Sequence, residues 1–324
     1  MSTFRKGRRE FLKTGSFALA SMIAQSTVRS AYALVPGQQG AKLTMLNSTA
    51  SPDFELAVER HVALGLQWLD LKDAIWGETI NDISLQNAER VLEIARAHRL
   101  GIWSFSTALC SSNIEEGETA FRRRHFARLD HILKLAEVLQ PQSIRLVSAN
   151  VYPLPQNEPV IAYVERRHPW IFAVYSEMVD RIVASGRRCL IENEFGILDR
   201  VESVLRFFER LRHRGRAYFT WDVQNLWQTG VFPTLEVYRQ LKPLMGCIHL
   251  KGGRSEDGNT LVWASALEDA SWPVTDIIRA VVADGVVPVI CLNPSHGVRA
   301  RGYSDWRVVQ QDVSFLRREV SADL

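Results

Sequence analysis

Cysteine is scarce, at four in 324 residues. Cys110, Cys189, Cys247 and Cys291 are too few for a disulfide framework. Three of them fall in apolar runs that read as core strands, so buried free thiols are expected, with a Cys247–Cys291 bridge the less favoured alternative. A Gly-rich phosphate loop is also missing. Asn47-Ser48-Thr49-Ala50 follows the first strand candidate and Gly252-Gly253 comes far too late, which argues against an open, doubly wound dinucleotide fold. After the first 33 residues no apolar run approaches the roughly 20 residues of a membrane span, and no linker rich in Gly, Ser or Pro divides the chain. Nor is there an excess of positive charge. Residues 1–33 hold six Lys and Arg against one acid, so the remainder has 33 basic and 35 acidic residues, a net of −2. A surface of that kind lacks the electrostatic footprint of a nucleic-acid binder. What remains is an ordinary globular composition, 46% hydrophobic and 23% charged, with ample material for one large core.

The N-terminus reads Arg8-Arg9-Glu10-Phe11-Leu12-Lys13, then a modestly apolar stretch from Gly15 to Ala24, then Ala31-Tyr32-Ala33. It resembles a twin-arginine export signal with an A-x-A cleavage site. The resemblance implies removal of residues 1–33, passage through the twin-arginine translocation machinery, and a mature domain of residues 34–324 in the periplasm or cell envelope. That route resembles export of proteins already folded in the cytoplasm, a weak hint of a metal. Oligomeric state is not readable.

From Lys42 onward, short β-rich runs alternate with helical patterns, the signature of parallel βα units. The strands are expected at 42–46, 68–71, 101–105, 143–147, 188–191, 218–221, 246–250 and 287–292. Helices are expected at 52–64, 84–98, 121–139, 170–185, 201–212, 234–241, 274–284 and 305–320. Ser51, with Pro52 at the first helical position, and Ser84 are the expected helix caps. The stretches 108–118 and 150–169 read as irregular mouth loops. Eight such units predict an α/β fold, a (β/α)8 TIM barrel, with its chemistry on the loops after the strands.

The strand ends are polar. In Cys189-Leu190-Ile191-Glu192-Asn193-Glu194, strand alternation places Glu192 and Glu194 on one face. The sixth strand delivers Asp222, and in the seventh His249 and Lys251 share a face with Cys247 below them. Carboxylates and an imidazole at nearly equal depth, without thiolate, suit Mn, Mg, Co or Zn acting on an oxygen-rich substrate. Each residue taken singly also fits a cap, a salt bridge or a satisfied structural histidine.

Ile191-Glu192-Asn193, Trp221-Asp222-x-x-Asn225 and His249-Leu250-Lys251-Gly252 together resemble the xylose isomerase-like TIM-barrel superfamily, which includes sugar phosphate isomerases/epimerases and ketose 3-epimerases. The resemblance runs from about Lys42 to Arg318. It implies a divalent metal held by Glu192, Asp222 and His249, with the fourth ligand at Asn293, where the superfamily usually has Glu. Asn225 likewise stands where His is frequent. Asparagine can coordinate through its carbonyl oxygen but cannot accept a catalytic proton.

Proton transfer beside a carbonyl needs a base, a cation and an acid. Glu192 serves as ligand and base, and Glu194 is the preferred replacement for the missing carboxylate, with Lys251 steadying an oxyanion. Asp70, Lys72, Asn150, Asn225, Arg254 and His296 are the expected substrate contacts, Arg254 as an anion site near strands 7 and 8. Trp76, Trp103, Trp227 and Trp263 are candidate stacking surfaces for a sugar ring, though core packing explains each equally well. The leading expectation is a metal-dependent isomerase, epimerase or related lyase acting on an unphosphorylated carbohydrate. The alternative is a degenerate barrel that binds a sugar or a protein, favoured by Asn225 and Asn293. A phosphodiesterase of the same superfamily ranks last, because such sites use many His ligands.

Overall fold

The computed structural model describes residues 40–211, 215–255, 261–262, 265–293, 306–321 and 323–324. The export signal expected at residues 1–33, His296 and Trp263 lie outside them. Eight strands form one sheet: β1 (Lys42–Met45), β2 (Trp68–Leu71), β3 (Gly101–Ser106), β4 (Ser143–Val147), β5 (Arg188–Glu192), β6 (Ala217–Asp222), β7 (Met245–Leu250) and β8 (Val289–Leu292). They run β1-β8-β7-β6-β5-β4-β3-β2, every pair parallel. A single parallel bridge between Leu46 and Asp70 joins β1 to β2. The sheet is therefore a nearly closed (β/α)8 barrel, as the eight alternations predict. Its strands are buried almost throughout, as parallel strands covered on both faces must be.

The helices are α1 (Asn47–Ala50), α2 (Phe54–Ala63), α3 (Leu85–Ala97), α4 (Glu118–Leu139), α5 (Val160–Arg167), α6 (Trp170–Ala184), α7 (Val201–Arg210), α8 (Val223–Gln228), α9 (Leu235–Leu241), α10 (Val274–Asp284) and α11 (Trp306–Glu319). Helical spacing explains their packing. In α7, Val204, Phe207 and Phe208 are buried on one face, and Phe207 meets Tyr175 of α6 edge-on, 4.9 Å between centroids. Ser84 caps α3, its hydroxyl accepting from the Asn87 N–H at 3.0 Å. Ser51 does not cap α2. That role falls to Asp53, which accepts from Leu56 N–H at 2.8 Å, while Ser51 ends α1 and its hydroxyl accepts from Asp53 N–H. The stretch 150–169, expected to be irregular, contains α5, because Val160, Ile161 and Val164 bury one side of a short amphipathic helix.

Two ladder irregularities matter for the interior. The β2–β3 register shifts between Leu69 and Asp70, and the β6–β7 register between Phe219 and Thr220. Such shifts re-aim side chains, and here one immediately precedes Asp70 while the other ends at Thr220, two residues before Asp222. The mouth loops are held close by glycine. At Gly252 a Cβ would collide with the Ser265 carbonyl, and at Gly196, with φ +107°, one would collide with the Ala149 carbonyl. Among the described residues no helix is long and apolar enough to cross a membrane.

The loop through Ser265 is tied to the last helix, where Asp312 of α11 accepts from the Leu267 N–H at 2.7 Å. Burial pushes the Asp312 carboxyl up to about 7, with Glu268 and Asp269 adding to the effect against the Leu267 hydrogen bond. The folded chain therefore holds a proton on Asp312 that the unfolded chain has released, and this contribution is lost as pH rises from the ordinary carboxylate range through 7. Urea unfolding at pH 5 and pH 8 should show a loss of stability at the higher pH of up to about 3 kcal/mol. In Asp312→Asn that component should be absent.

Candidate active site

Glu192 is the last residue of β5 and only 2% exposed. A carboxylate so deep requires a partner, and Arg145 supplies it. Arg145 lies in β4, one strand over, and its guanidinium pairs with Glu192 Oε2. On the other side His249 Nδ1 lies 2.9 Å from Glu192 Oε1. Burial alone would raise the Glu192 carboxyl, but Arg145, His249 and Lys251 outweigh it and hold the group well below the usual carboxylate range. Burial would lower His249, whereas the Glu192 charge beside it holds the imidazole well above its ordinary value.

Asp222 ends β6 and caps α8, its Oδ1 accepting from the N–H groups of Gln224 and Asn225, both at 3.1 Å. Asn193 fixes it further: the Asp222 N–H donates to Asn193 Oδ1 at 2.8 Å, and Asn193 Nδ2 donates to the Asp222 carbonyl at 2.9 Å. Lys251, just beyond β7, brings Nζ to 2.7 Å from Asp222 Oδ2 and donates to Asn225 Oδ1 at 3.3 Å. Asn225 in turn donates through Nδ2 to the Asn193 carbonyl at 2.8 Å. Both ends of the Asn225 amide are thus engaged, and it orients Lys251 rather than presenting a free group to a substrate.

The ligand atoms of Glu192, Asp222 and His249 lie within 4.8 Å of one another, all buried. Asp222 Oδ2 and His249 Nδ1 make no aligned hydrogen bond despite their charged neighbours, and Asn293 Oδ1, on a side chain just past β8, is buried with no hydrogen-bond partner among the described residues. Two carboxylates, an imidazole and a spare amide oxygen are the donor chemistry of a Mn, Mg, Co or Zn site, so these residues fit a divalent ion.

Glu194 reaches the same region by a different route from the one strand alternation suggests. β5 ends at Glu192, so the alternation does not extend to Glu194, which sits half-buried on the following loop. Burial and then the charge of Glu192 raise its carboxyl, against Arg145, Lys72 and Lys251. Among the described residues Glu194 has no hydrogen-bond or ion-pair partner. Asp70 is buried on the barrel interior and accepts from the Ser106 hydroxyl at 2.5 Å; burial raises it, against the pull of His249 and Arg145. Asp70, His249 and Cys291 form a second convergent group, again within 4.8 Å.

Other expected contacts are otherwise employed. Asn150 Nδ2 donates to the Ser111 carbonyl at 2.7 Å, joining two mouth loops. Arg254 is exposed on a two-residue ribbon with 261–262. The Trp76 indole donates to Glu55 and Arg90 stacks on its ring, Trp103 is wholly buried, and Trp227 packs against Phe232. All four cysteines are free and buried. Sequence reasoning missed Arg145 and Cys291 as members of the interior cluster. An arginine inside the apolar run Ser143-Ile144-Arg145-Leu146-Val147 was the available signal, since a charge there needs an interior partner.

No protein-family model matches this chain, and no curated protein sequence does. Solved structures do. The IOLI protein with a bound zinc atom aligns at TM-score 0.66 and 12% identity, covering 87% of this chain and 99% of that one. A xylose isomerase-like TIM-barrel protein from Mycobacterium smegmatis, in complex with magnesium, aligns at 0.63 and 16%, covering 84% and 89%. The 3-keto-D-glucoside 4-epimerase of E. coli aligns at 0.62 and 10%, covering 86% and 99%. The chain has the TIM-barrel fold that these proteins share. At these identities the likeness is one of fold, and the chemistry of this barrel rests on its own interior residues.

Removing one partner of a buried ion pair strands the other. Arg145→Met should therefore cost about 3–5 kcal/mol of unfolding free energy, and Arg145→Met with Glu192→Gln should recover much of it. Urea denaturation of the two variants checks this, and a double variant as unstable as the single would refute the pairing.

Proposed function

We propose that the protein is a carbohydrate isomerase or epimerase that moves a proton on the carbon beside a carbonyl. The observation that carries the reading is the pairing of opposites at the mouth. Glu192 is tightly compensated by Arg145 and His249, while Glu194, two residues on, is half-buried and has no partner among the described residues. Neighbouring carboxyl groups in such different surroundings take different roles. Glu194 is the group that accepts and returns the proton, and Glu192 is a fixed anion that orients His249. Lys251, held by Asp222 and Asn225, places an ammonium where a substrate oxygen gains negative charge. Glu192, Asp222 and His249 hold a divalent ion, with Asn293 as the amide donor, and that ion when bound supplies further positive charge to the substrate oxygens.

The polar interior and the fold shared with sugar epimerases support a carbohydrate as the substrate class. Alongside the keto-glucoside epimerase, a D-psicose 3-epimerase in the presence of D-fructose and an L-ribulose 3-epimerase share the fold. Asn293 in place of a carboxylate supports a second reading, a barrel that binds a sugar without turning it over. The twin-arginine-like sequence of residues 1–33 supports action outside the cytoplasm.

Deuterium exchange separates the readings. Free ketoses and 3-keto-glucosides incubated with the protein in D2O and Mn or Co should gain deuterium beside the carbonyl, followed by proton NMR. Glu194→Gln should slow this by about 100-fold or more, the usual contribution of a positioned acid–base group, while sugar binding persists. Binding with no exchange in the unaltered protein would establish the second reading instead.

A further inference from the structure

We propose a second metal site beneath the mouth, formed by Asp70, His249 and Cys291 and selective for a thiophilic divalent ion such as zinc or cobalt. The three residues come from β2, β7 and β8. Cys291 and His249 are direct register partners on adjacent strands, and Asp70 enters the same space from across β1, aimed by the register shift that precedes it. Their ligand atoms lie within 4.8 Å of one another, and each residue is at most 1% exposed.

The distribution of positive charge separates this group from Glu192 and Asp222. Those two carboxylates already have Arg145 and Lys251 against them. Asp70 has only the Ser106 hydroxyl, and no Lys or Arg forms an ion pair with it among the described residues. Arg145 and His249 still act on the Asp70 carboxyl through space, but an ion bound there has no direct Lys or Arg pair among the described residues to displace. A thiolate, an imidazole and a carboxylate leaving one open position are an established pattern for zinc, and thiolate ligation disfavours magnesium. His249 has two ring nitrogens. Nδ1 faces Glu192, which leaves Nε2 for an ion on the Cys291 side. Two residues beyond Cys291, the Asn293 amide oxygen is buried with no hydrogen-bond partner among the described residues, so this interior holds a ligand atom that its own side chains leave unsatisfied. On binding, Cys291 gives up its thiol proton and the His249 imidazolium gives up the proton on its ligating nitrogen, both to solvent, as the metal–sulfur and metal–nitrogen bonds form, so uptake releases protons from both groups.

Cobalt(II) reports the sulfur directly. The full-length protein titrated with CoCl2 should develop visible d–d bands together with a near-ultraviolet sulfur-to-cobalt charge-transfer band. Cys291→Ser should lose the charge-transfer band, and Asp70→Asn should weaken cobalt binding at least tenfold. Cys247→Ser, one step lower on the same face of β7, should keep the band, as should Asp222→Asn. Circular dichroism of each variant verifies folding. Cobalt bound without a charge-transfer band, or a band that survives Cys291→Ser, would overturn this site and leave the mouth site standing. No cobalt binding at all would overturn both.

Discussion

The interior of this barrel is organised around one buried anion. Glu192 cannot remain ionised at the end of β5 unless positive charge surrounds it, and Arg145 and His249 provide that charge from the neighbouring β4 and from β7, two strands away. Much else follows from this requirement. A guanidinium must be accommodated inside an apolar strand, and His249 must turn a ring nitrogen toward β5. Asp222, with its own hydrogen bonds spent on capping α8 and meeting Asn193, is left to Lys251.

The second constraint is geometric. Parallel strands present alternate residues to the interior, so each contributes only one or two polar groups at the mouth. Convergence from β2, β5, β6, β7 and β8 is what makes a chemical site out of them. The loops that carry Glu194 and Lys251 are held by close backbone approaches at Gly196 and Gly252, where any side chain would force the loops apart. Among the described residues Glu194 has no partner, whereas Glu192 and Asp222 are each paired, and the proposed proton transfer rests on that asymmetry.

Most of the fold was legible in the sequence, because hydrophobic alternation and turn residues act locally. All eight strands fall within two residues of the expected bounds, and β2 and β4 coincide with them. Ser51 was misplaced because Asp53 offers the stronger local cap, and α5 was missed because only one turn of its apolar face is visible in sequence. The site was legible to the extent that strand ends are. Glu192, Asp222, His249 and Lys251 are recognisable as polar residues closing apolar runs, and the structure brings them together. Arg145 and Cys291 were not recognisable as parts of one cluster, and Asn225 was placed at the site but as a substrate contact, since what each does depends on partners tens of residues away across the barrel. Glu194 reached the mouth through a loop rather than through strand periodicity.

The most direct test of this account is elemental analysis of the protein purified without chelator, beside a Glu192→Ala/Asp222→Ala control verified as folded. The account predicts bound divalent metal in the unaltered protein and a clear reduction in the control. Protein that takes up no Mn, Co, Zn or Mg, even after incubation with excess ion, would contradict the claim that this charged interior is a metal centre.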